Sequence, residues 1–207
     1  MIRHLFAFLF VLLLASISQA QVDGYKRYQI ESATIEFEIS GTHSGSETLY
    51  FDHFGKREAK FSTVTIMELE QSTLTLILGD HTHSIDLKTK RGARMPTPML
   101  SELLQFADGT DITQAAVVMM REMGGVMIES EEVAGRMCDV WKLGDMGSRI
   151  WLWEGIALKT IVEFAGMTIM VTAVSIDTES AIDASKFKIP DGVEMSDIDP
   201  ALLPGHE

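Results

Sequence analysis

The stretch TIEFEI at residues 34–39 decides the fold class, because its apolar and polar residues alternate strictly. Ile35, Phe37 and Ile39 would point to one side of an extended chain, and the residues between them to the other. This period of two is typical of a β-strand with one buried face and one solvated face. The sequence therefore predicts an antiparallel sheet that begins near residue 30.

The same strand pattern recurs on both sides of the middle of the chain, with Gly, Asp or charged residues between the segments. Short strands joined by such turn residues are typical of an antiparallel meander. The further predicted strands cover residues 48–54, 59–68, 73–78, 82–87, 136–143, 149–153, 157–164 and 167–176. Ala165-Gly166 joins the last two, which predicts a tight hairpin.

Between these two groups of strands the period becomes helical. Thr97-Pro98 is typical of a helix start, and apolar residues follow at helical spacing as far as Asp108-Gly109. A second apolar stripe starts near residue 110 and ends at Gly124-Gly125. Because helices this short are unstable alone, we expect both to pack on the sheet. The predicted fold is α+β: a strongly curved antiparallel sheet (a half-barrel) with two short helices on its concave face.

The N-terminus is typical of a cleaved export signal. Arg3 and His4 precede an apolar run over residues 5–15, and small residues follow at 18–20. The run is about half of the roughly 20 residues that a spanning helix needs. We expect cleavage after Ala20, a single half-barrel domain over 21–193, and a polar tail over 194–207. The expected product is a soluble, monomeric periplasmic protein without stable membrane anchoring.

Net charge limits the kinds of partner expected for this protein, and cysteine content limits its disulfide and thiol chemistry. The net charge of −13 disfavours nucleic acid and anionic lipid headgroups. Cys138 is the one cysteine in the sequence, so an intramolecular disulfide is impossible. Its strand-like setting, with no His or Lys pattern to lower its pKa, favours a buried and inert thiol over a reactive one.

Three late segments carry a family resemblance: VAGRMCDVWKL at 133–143, RIWLWEGIALK at 149–159 and KFKIPDGV at 186–193. They resemble the exported domains of the lipoprotein-carrier superfamily, the LolA/LolB-like half-barrels. The chain looks closest to an exported branch of that group rather than to the carriers themselves. The resemblance implies an apolar concave face under helices, with acyl chains bound between sheet and helices.

Methionine is concentrated in the middle of the chain, where ten of the thirteen fall between Met95 and Met170. A flexible, polarisable Met-lined surface can adapt to apolar partners, although ordinary core packing is the alternative explanation. We predict a hydrophobic ligand, a lipid or acylated partner, held between sheet and helices. The candidate binding residues are Leu100, Leu103, Leu104, Met119, Met120 and Met123.

Two histidines provide a different hypothesis. His81 and His83 flank one residue and would share a face if Thr82 is extended. With His43, His53 or a thioether they could bind copper or zinc, although His-x-His alone is a weak signal and a solvated hairpin is the favoured explanation. A third possibility is a structural or protein-interaction module with a filled core.

Catalytic motifs are lacking in the sequence. Gly-x-Ser-x-Gly, His-Glu-x-x-His and the glycine-rich phosphate-binding patterns do not occur. Glu129, Glu131 and Glu132 cluster in what is predicted as an exposed polar turn. We therefore expect a protein that is not an enzyme and that uses no cofactor.

Overall fold

The computed structural model describes residues 26–97, 117–118, 120–122, 124–143 and 147–198. Two short 3-10 helices lie at His53–Gly55 and Ala184–Phe187. The strands within these residues are β1 Ala33–Gly41, β2 Ser44–Asp52, β3 Arg57–Ile66, β4 Leu69–Leu78, β5 His81–Asp86, β6 Arg91–Pro96, β7 Gly125–Val133, β8 Arg136–Leu143, β9 Ser148–Trp153, β10 Ile156–Phe164, β11 Met167–Asp177 and β12 Glu194–Asp197.

All of these strands belong to one open sheet with the order β12-β6-β5-β4-β3-β2-β1-β11-β10-β9-β8-β7. Consecutive strands pair as antiparallel hairpins within β1–β6 and within β7–β11. The antiparallel pair β1–β11 joins the two halves, and β12 returns to pair in parallel with β6. The predicted antiparallel sheet is confirmed.

The alternating stretch of β1 lies at the centre of this sheet. Ile35 is opposite Leu49 of β2 and Ile176 of β11, and its side chain is fully buried. Ile35, Phe37 and Leu49 belong to a core cluster that extends to β8, β9 and β10. The alternation therefore marks the buried face, as the sequence predicted.

The sheet curls at its β7 side. Three strands separate β7 from β11, so a flat sheet would hold the two about 19 Å apart. Cα atoms of β7 nevertheless come within 8 Å of Cα atoms of β11. Val133 of β7 accordingly belongs to the same buried cluster as Ala173 of β11. This curvature agrees with the curved sheet that the sequence predicted.

A second buried cluster covers the β3–β5 part of the sheet. It contains Leu74, Leu76 and Ile85, and Phe187 from the second 3-10 helix packs against them. Met195 of β12 also contacts this cluster. The C-terminal segment thus covers apolar side chains on this part of the sheet and then adds a strand to its edge.

The prediction of an α+β fold with two helices packed on the sheet is wrong. Of the described residues, 66% are in strands and 8% are helical, and these include one short α-helix, at residues 117–118 and 120–122 within the second predicted helix. The first predicted helix, including Leu100, Leu103 and Leu104, lies outside the described residues. The prediction underestimated the strand content because β6, β7 and β12 are stabilised by pairing with neighbouring strands and carry no alternating signal of their own.

Two local predictions change for the same reason. Glu129, Glu131 and Glu132 lie on strand β7, not in a turn. Glu194–Asp197, at the start of the segment predicted to be a polar tail, forms β12 and pairs with Arg91 to Arg94 of β6. In both cases polar composition suggested a loop, whereas backbone hydrogen bonding to a neighbouring strand determined the structure.

Candidate functional site

Successive hairpin turns of the meander lie at opposite ends of the sheet, and these two ends differ in chemistry. We call one the strapped end; its turns are at residues 53–56, 79–80, 134–135 and 154–155. We call the other the apolar end; its described turns are at residues 42–43, 67–68, 87–90 and 165–166. The two ends are the natural places to look for a functional surface because turns carry side chains clear of the sheet.

The segment before β1 closes the strapped end with backbone hydrogen bonds. The amides of Arg27 and Tyr28 donate to the carbonyl of Phe54 at 2.9 and 3.2 Å. The amide of Phe54 donates to the backbone carbonyl of Glu31 at 2.9 Å. The amide of Gln29 donates to the carbonyl of Glu154 at 3.0 Å. This segment therefore links the β2–β3 turn to the β9–β10 turn.

A buried tyrosine reinforces the strapped end. The Tyr28 hydroxyl donates a 2.6 Å hydrogen bond to Oε2 of Glu58, and the Tyr28 ring lies 4.5 Å from the ring of Phe51. Burial raises the pKa of Tyr28 well above its usual value, and the negative charge of Glu58 adds to this effect. Arg27 Nη1 lies 3.8 Å from the same carboxylate. The polar groups here are mutually satisfied, which indicates a structural role.

The apolar end leaves large apolar side chains exposed. At the β3–β4 turn Met67 is 91% exposed and Leu69 is 71% exposed. At the β10–β11 turn Phe164 is 64% exposed, and Val162 and Met167 are also exposed. Single exposed apolar residues are ordinary, but these two turns lie at one end of the sheet with the β1–β2 turn between them. Two turns at one end that both present such groups indicate a surface that meets an apolar partner.

The β3–β4 turn also has an unusual backbone. Both of its central residues, Met67 (φ 48°) and Glu68 (φ 69°), are left-handed. Three other two-residue turns of this sheet have glycine at the second position: Ala134-Gly135, Glu154-Gly155 and Ala165-Gly166. Glycine tolerates this conformation, whereas other residues are strained in it. The β3–β4 turn therefore keeps two strained side chains where these three turns keep one. The longer β2–β3 turn also has two, His53 (φ 52°) and Phe54 (φ 61°).

The structure places the predicted binding residues only in part. Met120 is half-buried at the end of the short helix, and its carbonyl lies close to Gly125. Leu100, Leu103, Leu104, Met119 and Met123 lie outside the described residues. The role of these residues stays a prediction. Sequence reasoning missed the apolar end, because it extended the third strand through Met67 and Glu68 and so concealed the turn.

The two candidate metal ligands share strand β5. His81 Nδ1 lies 2.6 Å from Oδ1 of Asp80, and His83 is buried with its Nδ1 unpaired. Burial lowers the pKa of His83, and the positive charge of Arg94 on the neighbouring strand acts in the same direction. The buried position of His83 contradicts a solvated hairpin.

The other two histidines do not join this pair. His43 lies in the β1–β2 turn at the apolar end, and His53 lies in the β2–β3 turn at the strapped end. Within the part of the chain that the structure describes, no group of three or more His, Cys, Asp or Glu side chains could hold a metal ion. The geometry therefore does not favour the metal hypothesis.

Cys138 is a core residue, as predicted. Its side chain is fully buried in the cluster shared by β1 and β8–β11. Burial raises the pKa of the thiol to about 11, which keeps it protonated at neutral pH. Trp141 and Trp151 are also buried, which supports a structural role for these two tryptophans.

No helix among the described residues is long and apolar enough to cross a bilayer.

Comparison with known proteins gives a relationship at the level of the fold. No protein-family model matches the chain, and no curated protein matches it in sequence. An uncharacterized conserved protein of Thermus thermophilus is similar in structure, with a TM-score of 0.53 at 7% identity. The match covers 87% of this chain and 99% of that one. At this identity the match shows a shared fold and says nothing about activity.

Two further solved structures show weaker similarity. The complex of MucA and MucB from Pseudomonas aeruginosa matches with a TM-score of 0.47 at 14% identity, covering 82% of this chain and 60% of that one. LprF from Mycobacterium bovis matches with a TM-score of 0.32 at 5% identity, covering 86% of this chain and 98% of that one. These similarities are too low to support an argument about fold or function.

Proposed function

We propose that this protein binds a hydrophobic ligand, a lipid or an acylated partner, without catalysing a reaction, and that the apolar end contacts the ligand. The observation that carries the proposal is the exposure of Met67, Leu69 and Phe164 at two turns on the same end of the sheet. The free energy of the system falls when apolar side chains of this size leave water. An apolar partner would supply the burial that the described residues do not.

The affinity of such binding depends on how much apolar surface the ligand and these side chains bury against each other. Each methylene of a ligand buried against these side chains contributes about 0.8 kcal/mol. Methionine suits this role because its side chain is flexible and its sulfur is polarisable, so it can contact ligands of different shape. Met67 and Met167 belong to different turns of the apolar end, which would let the surface adapt to its ligand.

The strain of the β3–β4 turn supports the same proposal. Asn-Gly, Asp-Gly and Gly-Gly are the favoured sequences for a two-residue hairpin turn in which both residues have positive φ. Met67-Glu68 occupies this turn at a cost of about 1 kcal/mol or more for each strained residue. In the β2–β3 turn, backbone hydrogen bonds to the segment before β1 hold the strained Phe54 in place. Met67 is 91% exposed, and contact with a ligand would offset the strain at its turn.

The export signal predicted at residues 1–20 supports a role outside the cytoplasm. In that compartment a lipid or acylated protein needs a carrier or receptor to stay in water. In this proposal the protein works there as a soluble, monomeric binding protein.

The experiment measures binding of a fluorescent fatty acid to the exported protein and to two matched variants. Met67→Asp places a charge on the apolar end, and Met137→Asp places the same charge beside the β7–β8 turn at the strapped end. Met137 is itself 63% exposed, so the control differs mainly in location. We expect about a tenfold weaker affinity for Met67→Asp, equivalent to about 1.4 kcal/mol, and an unchanged affinity for the control.

Two outcomes would overturn the proposal. One is that the folded wild-type protein does not change the fluorescence of the probe at any concentration below its micelle point. The other is that Met137→Asp weakens binding as much as Met67→Asp does. Circular dichroism of both variants shows whether the sheet is retained.

A further inference from the structure

The two edges of the sheet are built differently. At one edge the four-residue strand β12 pairs with β6 and ends the sheet. At the other edge β7 is nine residues long, and its residues 126–132 are all exposed. A short edge strand offers little to a foreign chain, whereas a long exposed one is a template for a further strand. Within the described residues no strand pairs with the outer side of β7.

Strand β7 is held firmly in place, as a template requires. Oε2 of Glu131 accepts a 2.8 Å hydrogen bond from the indole Nε1 of Trp151, and Oε1 lies 3.2 Å from Nζ of Lys159. Trp151 is buried in the core. These contacts tie the edge strand to β9 and β10 across β8, so β7 keeps its position although no described strand pairs with its outer side.

The exposed residues of β7 fall into two chemical groups. Val126, Met127 and Ile128 are apolar, and Glu129, Glu131 and Glu132 are acidic with one serine among them. A β-bulge separates the groups, because Met127 is opposite Trp141 and Glu129 is opposite Val140. The edge therefore presents an apolar part followed by a negatively charged part.

This arrangement selects against a second copy of the chain. Two β7 strands in parallel register would place glutamate opposite glutamate. In antiparallel register about Glu129, the apolar residues 126–128 would face residues 130–132. Like charges opposite one another destabilise a strand pair, whereas opposite charges stabilise it.

We propose that β7 docks an extended segment of a partner protein in which basic residues precede apolar ones. The segment would pair antiparallel to β7, with lysine or arginine opposite Glu129 and Glu132 and apolar side chains opposite Val126 to Ile128. Backbone hydrogen bonds to the open side of β7 supply affinity, and the carboxylates supply selectivity. This interaction is separate from the binding of a hydrophobic ligand at the apolar end.

The test uses two synthetic peptides and the full exported protein. One peptide has four lysines followed by Val-Ile-Val, and the other has four glutamates in place of the lysines. We expect the lysine peptide to bind and to slow hydrogen exchange of the amides at residues 126–132. Protection of these amides distinguishes strand addition from loose attraction between opposite charges, which leaves backbone amides exchanging as before.

A charge-reversal pair supplies the matched control. Glu129→Lys with Glu132→Lys should weaken binding of the lysine peptide at least about tenfold and create binding of the glutamate peptide. Glu36→Lys with Glu38→Lys makes the same change of net charge at exposed positions of the central strand β1 and should leave both affinities within about twofold.

Three results would overturn the proposal: no protection of the β7 amides at millimolar peptide, an equal loss of affinity in the β1 control, or self-association of the protein that the β7 substitutions abolish. The last result would assign the edge to a second copy of the chain. None of these measurements involves a lipid probe, so the outcome is independent of ligand binding at the apolar end.

Discussion

The strapped end and the apolar end of the sheet contain the same kind of tight hairpin turn, but aromatic side chains are packed at the first end and exposed at the second. At the strapped end Tyr28 and Phe51 are packed together, and the Tyr28 hydroxyl is paired with Glu58. At the apolar end Phe164 and Met67 stand exposed to water. One end therefore contributes to stability, and the other keeps apolar surface available.

In this fold the end that adds stability is separate from the end that exposes apolar side chains. The antiparallel meander places alternate turns at opposite ends, so one end can be closed without affecting the other. The segment before β1 hydrogen-bonds to two turns at one end. Substitutions that remove buried contacts at the strapped end should lower the free energy of unfolding, whereas those at the apolar end should act on binding.

The largest effect is expected from the same truncation at the two ends. Phe51→Ala should lower the free energy of unfolding by about 3–5 kcal/mol, because the side chain is fully buried and leaves a cavity. Phe164→Ala should change it by no more than about 0.5 kcal/mol, because the side chain is largely exposed. Urea denaturation measures both. Equal losses would show that the two ends do not differ in packing.

A glycine pair isolates the packing difference from backbone strain. Gly55 and Gly166 have the same φ of 80°, but a Cβ at Gly55 would lie 2.7 Å from the Tyr28 ring, and one at Gly166 would meet nothing within 4 Å. Gly166→Ala should cost about 1 kcal/mol from strain, and Gly55→Ala about 1–3 kcal/mol more from overpacking. Thermal unfolding compares them. A similar cost for both would mean that the strapped end can relax around Tyr28.

A smaller effect, of opposite sign, is expected at the strained turn. Glu68→Gly should raise the free energy of unfolding by about 0.5–1 kcal/mol, because glycine adopts the positive φ of this position without strain. Glu163→Gly, in the exposed part of strand β10, should lower it, because glycine weakens an ordinary strand. If Glu68→Gly is destabilising, the turn carries no strain and that support for a binding role is lost.

The smallest effect concerns charge at the strapped end. Partial burial acts to raise the pKa of Asp52, but hydrogen bonds from Arg57 and His53 outweigh it, so the pKa is lowered. A carboxyl with a lowered folded-state pKa stabilises the protein above its unfolded pKa of about 3.9, and this stabilisation is lost as pH falls through the folded value. Asp52→Asn should therefore flatten the fall in stability below about pH 4.

The control for this prediction is the partner side chain. Arg57 donates two hydrogen bonds to Asp52, so Arg57→Gln should flatten the same part of the pH curve, and the double variant should add little. Urea midpoints between pH 3 and pH 6 measure the three curves. Additive effects of the two substitutions would show that Asp52 is stabilised by other groups.

The central strands and the tight hairpin could be predicted, because their pattern is local. Alternation in TIEFEI marks the buried face of β1, and Ala165-Gly166 marks the β10–β11 turn, where Phe164 is opposite Met167. The β3–β4 turn could not be found in this way, since Met67-Glu68 lacks the glycine that signals such turns. The exposure of Met67 is visible only once the turn is placed.

Short-range periodicity in the sequence was sufficient to predict the antiparallel sheet, the buried thiol of Cys138 and the buried face of the central strands. The folded chain was needed to show that Glu129, Glu131 and Glu132 lie on an edge strand, that Glu194–Asp197 completes the other edge, and that the two ends of the sheet differ. Edge strands and closed ends depend on hydrogen bonds between residues distant in sequence, and composition carries no record of such pairing.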